Sequence, residues 1–304
     1  MDIMKTRRST LLSLLFIIVS LTVFPVSVQA QKVKKVHGKA SISFSLLESQ
    51  MSGPEAKREC IKQAQLNAIK EAFGELITSN TNMIDAKVCG QEVSNFYEEV
   101  NLSSKAEWIE DTKAPSIKTE SNDGIITITA EVWGKAREIP TATIDIDWKV
   151  MSSNGGRLYE TDRFNHKQPI YVQFKSPVDG YLAIYLLDST HKEANCLLPY
   201  KNNPKGRHAV KGGVEYTLFD KESDPQAFKY NLTTSADVEV DNVVLIFSPN
   251  AFTKCNEITG DRRHPNSLSM DDFNAWLRRL QLRDTEMVVD KNKIVTIINE
   301  KANK

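Results

Sequence analysis

This sequence of 304 residues lacks the short motifs that mark the common enzyme classes. It has no Gly-x-Ser-x-Gly nucleophile elbow, no glycine-rich phosphate loop and no dinucleotide-binding fingerprint. It also has no Cys-x-x-Cys or His-Glu-x-x-His pair that would supply metal ligands at the usual spacing. We therefore predict no catalytic residues, no cofactor and no metal site.

An excess of either charge is also absent, because 39 Lys and Arg are matched by 39 Asp and Glu. Proteins that bind nucleic acid neutralise its phosphates with a surplus of basic residues. The balanced charge therefore predicts that nucleic acid is not a partner. After residue 30, no stretch is both apolar and about 20 residues long, so we expect no transmembrane segment in the mature chain.

The first 30 residues have the three parts of a secretory signal peptide. A basic start (Lys5 to Arg8) precedes an apolar run from Leu11 to Phe24, and the small-residue pattern Val28-Gln29-Ala30 follows. The run is too short for a membrane anchor, which needs roughly 20 residues. We predict cleavage after Ala30 and a mature protein that is periplasmic, secreted or at the cell surface. The signal holds three basic residues and one acid, which leaves the mature chain with a net charge of −2.

Only four cysteines are present, and all of them follow the predicted signal peptide: Cys60, Cys89, Cys196 and Cys255. An even number of cysteines in an exported chain favours disulfides. Of the three possible pairings we favour Cys60–Cys89 and Cys196–Cys255, because each bond then stays within one predicted domain. Four buried free thiols are the alternative.

The first part of the mature chain predicts a mixture of strand and helix. Alternating apolar residues over 36–46 indicate a strand. Apolar residues at intervals of three and four from Ile61 to Ile77 predict a long helix that begins at Pro54 or Glu55. A second helix is expected over 91–101.

Two further strands, over 105–120 and 125–134, complete this part of the chain. Asn122-Asp123-Gly124 lies between them, and Asp-Gly supplies the positive φ angles that a tight hairpin turn needs. We therefore expect these two strands to pair as a hairpin.

From about residue 141 the sequence changes to short strands separated by turn residues, a pattern typical of a β-sandwich or barrel. Ser269 then precedes a predicted helix that ends near residue 282, and residues 284–299 predict a final hairpin. The strands are expected over 142–150, 169–175, 180–187, 194–198, 214–219 and 238–247.

These patterns together predict an α+β fold in two domains. The signal peptide covers residues 1–30 and an α+β domain covers 31–138. A mainly antiparallel β-sandwich with a C-terminal helix and hairpin covers 139–304.

Several loose motifs occur in a characteristic order between residues 155 and 250: Lys167–Val172, Ser176–Tyr185, Leu197–Tyr200, Val210–Leu218 and Leu245–Pro249. In this order they resemble the bacterial domain of unknown function numbered 4384. The resemblance covers about residues 155–250, or extends to the C-terminus. It implies a β-sandwich-like module of exported or envelope proteins, and it implies no catalytic residues.

The first domain carries a second resemblance. Val36–Ala40, an alanine-rich helix and the strand from Thr127 to Trp133 are similar to the N-terminal domain of flagellar assembly protein T and related envelope lipoproteins. The chain departs from the lipoproteins because no cysteine lies beside the cleavage site.

Two short segments are candidate sites. The polar, cationic loop Tyr200–Arg207 begins with an aromatic residue, and loops on a rigid sandwich commonly carry function. Asp188-Ser189-Thr190 resembles the O-glycosylation acceptor of the Bacteroidetes, at Ser189 or Thr190. The loop residues predicted to bind are Tyr200, Lys201, Asn202, Asn203 and Arg207.

We expect a non-enzymatic exported envelope protein that acts as a binding or assembly module for a protein or glycan partner. The alternative is a hydrolase whose site is assembled at the interface between the two domains. The oligomeric state does not follow from the sequence.

Processing can be tested directly on the protein isolated from its own cells. We expect N-terminal sequencing to begin at Gln31 and the intact mass to lack residues 1–30. A mature protein that retains Met1–Ala30 would contradict both the cleavage and the assignment of this segment to export.

Overall fold

The computed structural model describes residues 32–45, 52–74, 106–139, 142–203, 206–255, 257, 260 and 264–299. The predicted signal peptide, the predicted helix over 91–101 and Cys89 lie outside the described residues. Strands dominate the described part, with two helices, and the predicted α+β fold is confirmed.

The N-terminal part is a three-stranded antiparallel sheet with one helix against it. The strands are β1 (Val33–Ser45), β2 (Ala106–Asn122) and β3 (Ile125–Glu138), in the order β1-β3-β2. Asn122 pairs with Ile125, and the two residues between them have φ angles of 49° and 82°. The predicted hairpin and its two-residue Asp-Gly turn are therefore confirmed.

Helix α1 (Gly53–Phe73) begins where the sequence has a capping box. The hydroxyl of Ser52 accepts a hydrogen bond from the backbone N–H of Glu55, and the Glu55 carboxylate accepts one from the N–H of Ser52. These two bonds satisfy backbone donors that a helix start leaves free. The face turned to the sheet consists mainly of small residues: Ala56, Cys60, Ala64, Ala68 and Ile69.

Because these side chains are small, α1 approaches the sheet closely. Gly38 of β1 lies under the helix, where an added Cβ would overlap the carbonyl oxygen of Ala64 and lie 2.7 Å from the Cβ of Ala68. Close packing of this kind requires glycine at the point of contact.

The remaining strands form two packed sheets. The larger sheet has the order β14-β9-β8-β13-β15-β6, with β10 also pairing with β8. The smaller sheet has the order β11-β7-β4-β5, with β12 also pairing with β7. The strands are β4 (Asp147–Asn154), β5 (Arg157–Glu160), β6 (Arg163–Asn165), β7 (Pro169–Lys175), β8 (Gly180–Asp188), β9 (Glu193–Leu198), β10 (His208–Val210), β11 (Glu215–Leu218), β12 (Tyr230–Asn231), β13 (Val238–Ser248), β14 (Asn266–Ser269) and β15 (Val288–Ile298).

Apolar side chains fill the space on both faces of the larger sheet. Toward the smaller sheet, Ile184 and Leu245 pack with Phe174 in one cluster. On the opposite face, Tyr185 and Ile246 pack against helix α2 (Met270–Arg283) in another. Since neighbouring residues of a strand point to opposite faces, β13 is apolar at successive positions rather than at alternate ones.

The C-terminal segment differs from its predicted form. The two strands of the expected hairpin, near Met287–Val289 and Ile294–Ile298, lie in the single strand β15. The pairing of β15 with β13 shifts register between Asp290 and Lys293, which is a bulge rather than a turn. The polar residues between the apolar runs therefore fit into the bulge and not into a reversal of the chain.

Among the described residues, no apolar cluster contains residues from both sides of residue 139. By its contacts, however, the chain from Val33 onward groups into one compact unit. The predicted division into two domains at this point stays a prediction. Neither helix in the described ranges combines the length and the apolar composition that crossing a membrane requires.

The close approach of α1 to β1 can be tested by adding one methyl group. We expect Gly38→Ala to lower the free energy of unfolding by about 1–3 kcal/mol, because the Cβ overlaps backbone atoms of the helix. Urea denaturation measures the change. The control is Gly53→Ala, where nothing lies within 4 Å of the added Cβ and we expect a change below about 0.5 kcal/mol. Equal stability of Gly38→Ala and the wild type would show that the helix is not held this closely.

Candidate functional site

The structure corrects the predicted disulfides. Cys60 and Cys196 are buried thiols, and no disulfide joins Cys196 to Cys255 among the described residues. The Cys60 thiol donates to the carbonyl oxygens of Ala40 and Ile128 at 3.4 and 3.3 Å, so it lies within the contact between α1 and the sheet. The even cysteine count therefore misled the prediction, because these thiols take their places by packing.

Burial raises the pKa of the Cys60 thiol and raises that of Cys196 further. A nucleophilic cysteine needs the opposite shift and access to substrate. Neither thiol has the surroundings of a catalytic nucleophile.

The predicted binding loop divides into buried and exposed residues. Tyr200 is only 4% exposed, and its hydroxyl accepts a hydrogen bond from the N–H of Phe219 at 3.2 Å. Burial raises the pKa of Tyr200 to about 12. Tyr200 is therefore a core residue, and the expectation that its ring contacts a partner is wrong.

Two other residues of the loop hold its shape. The Asn203 side chain donates to the carbonyl oxygen of Arg207 at 2.6 Å, and the Lys201 ammonium donates to the carbonyl oxygen of His264 at 3.1 Å. Asn202 and the Arg207 side chain are exposed. Of the predicted binding residues, Asn202 and Arg207 thus remain available to a partner.

Arg207 lies at a shallow cleft on the side of the larger sheet that faces α2. The cleft lies where β9 and β13 end and β8 begins. The space inside it is about 10 Å³, close to the minimum for one water molecule. Its lining combines aromatic and cationic side chains, including Tyr181, Arg207, His208, Phe252, Lys254 and Trp276.

Hydrogen bonds around a buried carboxylate fix one wall of this cleft. Glu257 accepts from the Tyr185 hydroxyl at 2.9 Å and from the Asn266 side chain at 3.2 Å. It also pairs with Lys254 at 2.5 Å. Trp276 donates from its ring nitrogen to the carbonyl oxygen of Thr253 at 3.0 Å, which ties the same segment to α2.

A second group of polar side chains lies at the opposite end of the same strands. Asp188 ends β8, His191 lies in the turn before β9, and Glu239 and Asp241 lie near the start of β13. Strands β8 and β13 are antiparallel and Asn242 pairs with Leu187, so one residue further along Asp241 lies beside Asp188. Glu239 and Asp241 are two residues apart and point to the same face. We call these four residues the carboxylate–histidine cluster.

Three members of the cluster lie close enough together to bind the same ion. The carboxylate oxygens of Asp188 and Glu239 and a ring nitrogen of His191 all lie within 4.8 Å of one another. His191 Nδ1 is 2.8 Å from Asp188 Oδ2, and the backbone N–H of His191 donates to Asp188 Oδ1 at 2.7 Å.

Burial and mutual repulsion act on the acids of the cluster. Glu239 is 7% exposed and Asp241 is 3% exposed. Burial, followed by the charges of Glu239 and Asp188, raises the pKa of Asp241 well above its usual value. Burial and the charge of Asp188 likewise raise the pKa of Glu239, and the hydrogen bond to Asp188 raises that of His191.

Sequence reasoning missed this cluster and predicted no metal site. The acids at 239 and 241 share a strand face, but their proximity to Asp188 and His191 depends on the pairing of β13 with β8. The predicted glycosylation residues lie in the same turn, where Thr190 is exposed and the N–H of Ser189 donates to Asp241 at 3.1 Å. Their modification stays a prediction.

No family model matches the chain, and neither a curated protein nor a solved structure matches it. The resemblances to the domain numbered 4384 and to flagellar assembly protein T stay predictions.

The raised pKa of Asp241 predicts how stability depends on pH. The folded protein binds this proton more tightly than the unfolded chain does, so ionisation of Asp241 lowers stability as pH rises above about 4. We expect Asp241→Asn to be more stable than the wild type at pH 7–8 in the presence of EDTA, with a difference that shrinks toward about pH 4. Urea unfolding across this range measures the difference.

The control for this experiment is Asp179→Asn. A hydrogen bond from Lys211 lowers the pKa of the exposed Asp179, so its removal should not stabilise the protein at neutral pH. An Asp241→Asn variant whose stability relative to the wild type is the same at pH 4 and pH 8 would show that this carboxylate is not the source of the dependence.

Proposed function

We propose that this protein is an exported, non-enzymatic module of the cell envelope that binds a protein or glycan partner. The observation that carries the proposal is the shallow cleft with its aromatic and cationic rim at one end of the larger sheet. Rigid strands position the loops that form the rim, an arrangement common in binding proteins.

The chemistry of the rim suits recognition on a surface. A guanidinium such as that of Arg207 stacks on planar groups and forms paired hydrogen bonds with carboxylates. Tyr181 is partly exposed and offers a rigid apolar face together with a hydrogen-bonding hydroxyl. These groups fit an acidic or aromatic side chain of a protein partner, or the apolar face and hydroxyls of a sugar.

The size of the cleft favours binding over catalysis on an enclosed substrate. Pockets that enclose small ligands have volumes of roughly 300–1,000 Å³, whereas this cleft has about 10 Å³. A partner would therefore rest on the exposed residues of the rim rather than enter the cleft.

The sheet edges in the described part of the chain favour loop docking over strand addition. In the larger sheet, the outer strands β14 and β6 have four and three residues. The long edge strand β2 contains Pro115 and three register shifts, and β1 carries Lys34, Lys35 and Lys39. Short strands, proline, bulges and lysines all oppose pairing with an added strand.

Export rests on the predicted signal peptide. The resemblance to the domain numbered 4384 agrees with it, because that resemblance implies an exported or envelope module. The free thiols of Cys60 and Cys196 are compatible with an oxidising compartment, because both are buried and so are shielded from oxidants.

The cleft can be tested by removing its exposed cation. We expect Arg207→Ala to reduce recovery of the partner by about tenfold or more when the purified protein is used to capture binders from its own envelope fraction. The matched control is Arg157→Ala, another exposed arginine, which lies in β5 of the smaller sheet and should bind like the wild type.

Equal recovery by both variants would place the binding surface elsewhere. No recovery at all, together with turnover of an ester or peptide substrate by the purified protein, would favour the hydrolase alternative.

A further inference from the structure

The carboxylate–histidine cluster concentrates carboxyl groups in a largely buried part of the larger sheet. Asp188, Glu239 and Asp241 contribute three carboxylates, and two of these side chains are more than nine-tenths buried. His191 forms an ion pair with Asp188, with Nδ1 2.8 Å from Oδ2.

The hydrogen bonds that the two buried acids accept come from neutral groups. Asp241 accepts one from the backbone N–H of Ser189 at 3.1 Å. The partners of Glu239 are the neutral hydroxyls of Thr234 and Thr190. Buried charges are normally paired or bound to a metal, because burying them without compensation is costly.

We propose that Asp188, His191 and Glu239 form a binding site for a divalent metal ion that takes both carboxylate and imidazole ligands, with Zn²⁺ as the best fit. Asp241 lies close enough to Asp188 and Glu239 to feel their charges, and its carboxyl group adds to the attraction of a cation when it is ionised. A bound ion supplies positive charge beside these acids and so favours their ionised forms.

The ligand types select the class of metal. Mg²⁺ and Ca²⁺ prefer oxygen ligands, six or more of them for Ca²⁺, whereas Zn²⁺ readily combines imidazole with carboxylates in a four-coordinate site. Three protein ligands leave the fourth position to solvent.

The distances need only a small adjustment. Ligand atoms around a tetrahedral Zn²⁺ lie about 3.3 Å apart, and those of the cluster already lie within 4.8 Å of one another. His191 belongs to the exposed turn between β8 and β9, which can move toward Glu239, whereas Asp188 ends β8. On binding, the proton between His191 Nδ1 and Asp188 passes to solvent, and the Nδ1 lone pair coordinates the metal.

A metal at this position links two parts of the larger sheet. Asp188 and His191 flank the turn from β8 to β9, while Glu239 belongs to the start of β13. The expected role is structural, because the ion ties the turn to the neighbouring strand.

The test uses the purified protein after treatment with EDTA and dialysis. We expect calorimetric titration with Zn²⁺ at pH 7.5 to show one bound ion per chain, and we expect Zn²⁺ to raise the midpoint of thermal unfolding. Ca²⁺ and Mg²⁺ at the same concentration should give little or no increase.

Two variants assign the ligands. His191→Ala and Glu239→Gln should each weaken Zn²⁺ binding more than about tenfold. Glu239→Gln should also be at least as stable as the wild type in EDTA, because it removes a repelling charge, so loss of binding cannot be attributed to unfolding.

The control is His37→Ala. His37 also pairs with a carboxylate, Glu131, at 2.7 Å, but among the described residues no third ligand lies beside this exposed pair, so its removal should leave Zn²⁺ binding unchanged. The proposal is overturned if the wild type gives no binding heat and no thermal shift, or if the shift survives in both His191→Ala and Glu239→Gln.

This inference does not depend on the binding function proposed above. The cluster and the cleft lie at opposite ends of β8 and β9, so Arg207→Ala should bind Zn²⁺ normally. Failure of one proposal therefore leaves the other intact.

Discussion

Burial of strand β13 on both faces is the interaction on which the rest of the described structure depends. Val243, Leu245 and Phe247 pack toward the smaller sheet, whereas Val244 and Ile246 pack toward helix α2. The strand also has a hydrogen-bonded neighbour on each side, β8 and β15. A strand so enclosed has little freedom to change register, because a shift of one residue would exchange the residues on its two faces.

That rigidity explains why polar groups gather at the two ends of the same strands. Apolar side chains occupy the middle of β8 and β13 on both faces, so hydrophilic groups gather at the strand ends and in the adjoining turns. At one end these segments supply the aromatic and cationic rim of the cleft, and at the other they supply the carboxylate–histidine cluster. The central strands therefore hold two surfaces of different charge in fixed positions.

Local sequence signals were sufficient for the features that local interactions decide. The turn at Asp123-Gly124 was predictable from its φ requirement, and the strand at 180–187 from its apolar residues. Features that depend on distant pairing were not predictable. The burial of Tyr200, the cysteines that form no disulfide and the meeting of Asp241 with Asp188 all follow from which strands become neighbours. The spacing of residues along the sequence does not show which strands will be neighbours.

The position of the last strand sets the order in which the larger sheet can be completed. β15 lies between β13 and β6, with β13 antiparallel and β6 parallel to it. Ribosomes deliver Val288–Ile298 after every other strand of the sheet, so until then β6 has no neighbour in this sheet and one edge of β13 is open. An unfinished sheet with an apolar open edge is prone to wrong pairing. A chain in which β13 has formed before Val288–Ile298 is available, about 40 residues later, thus exposes an apolar edge that invites aggregation.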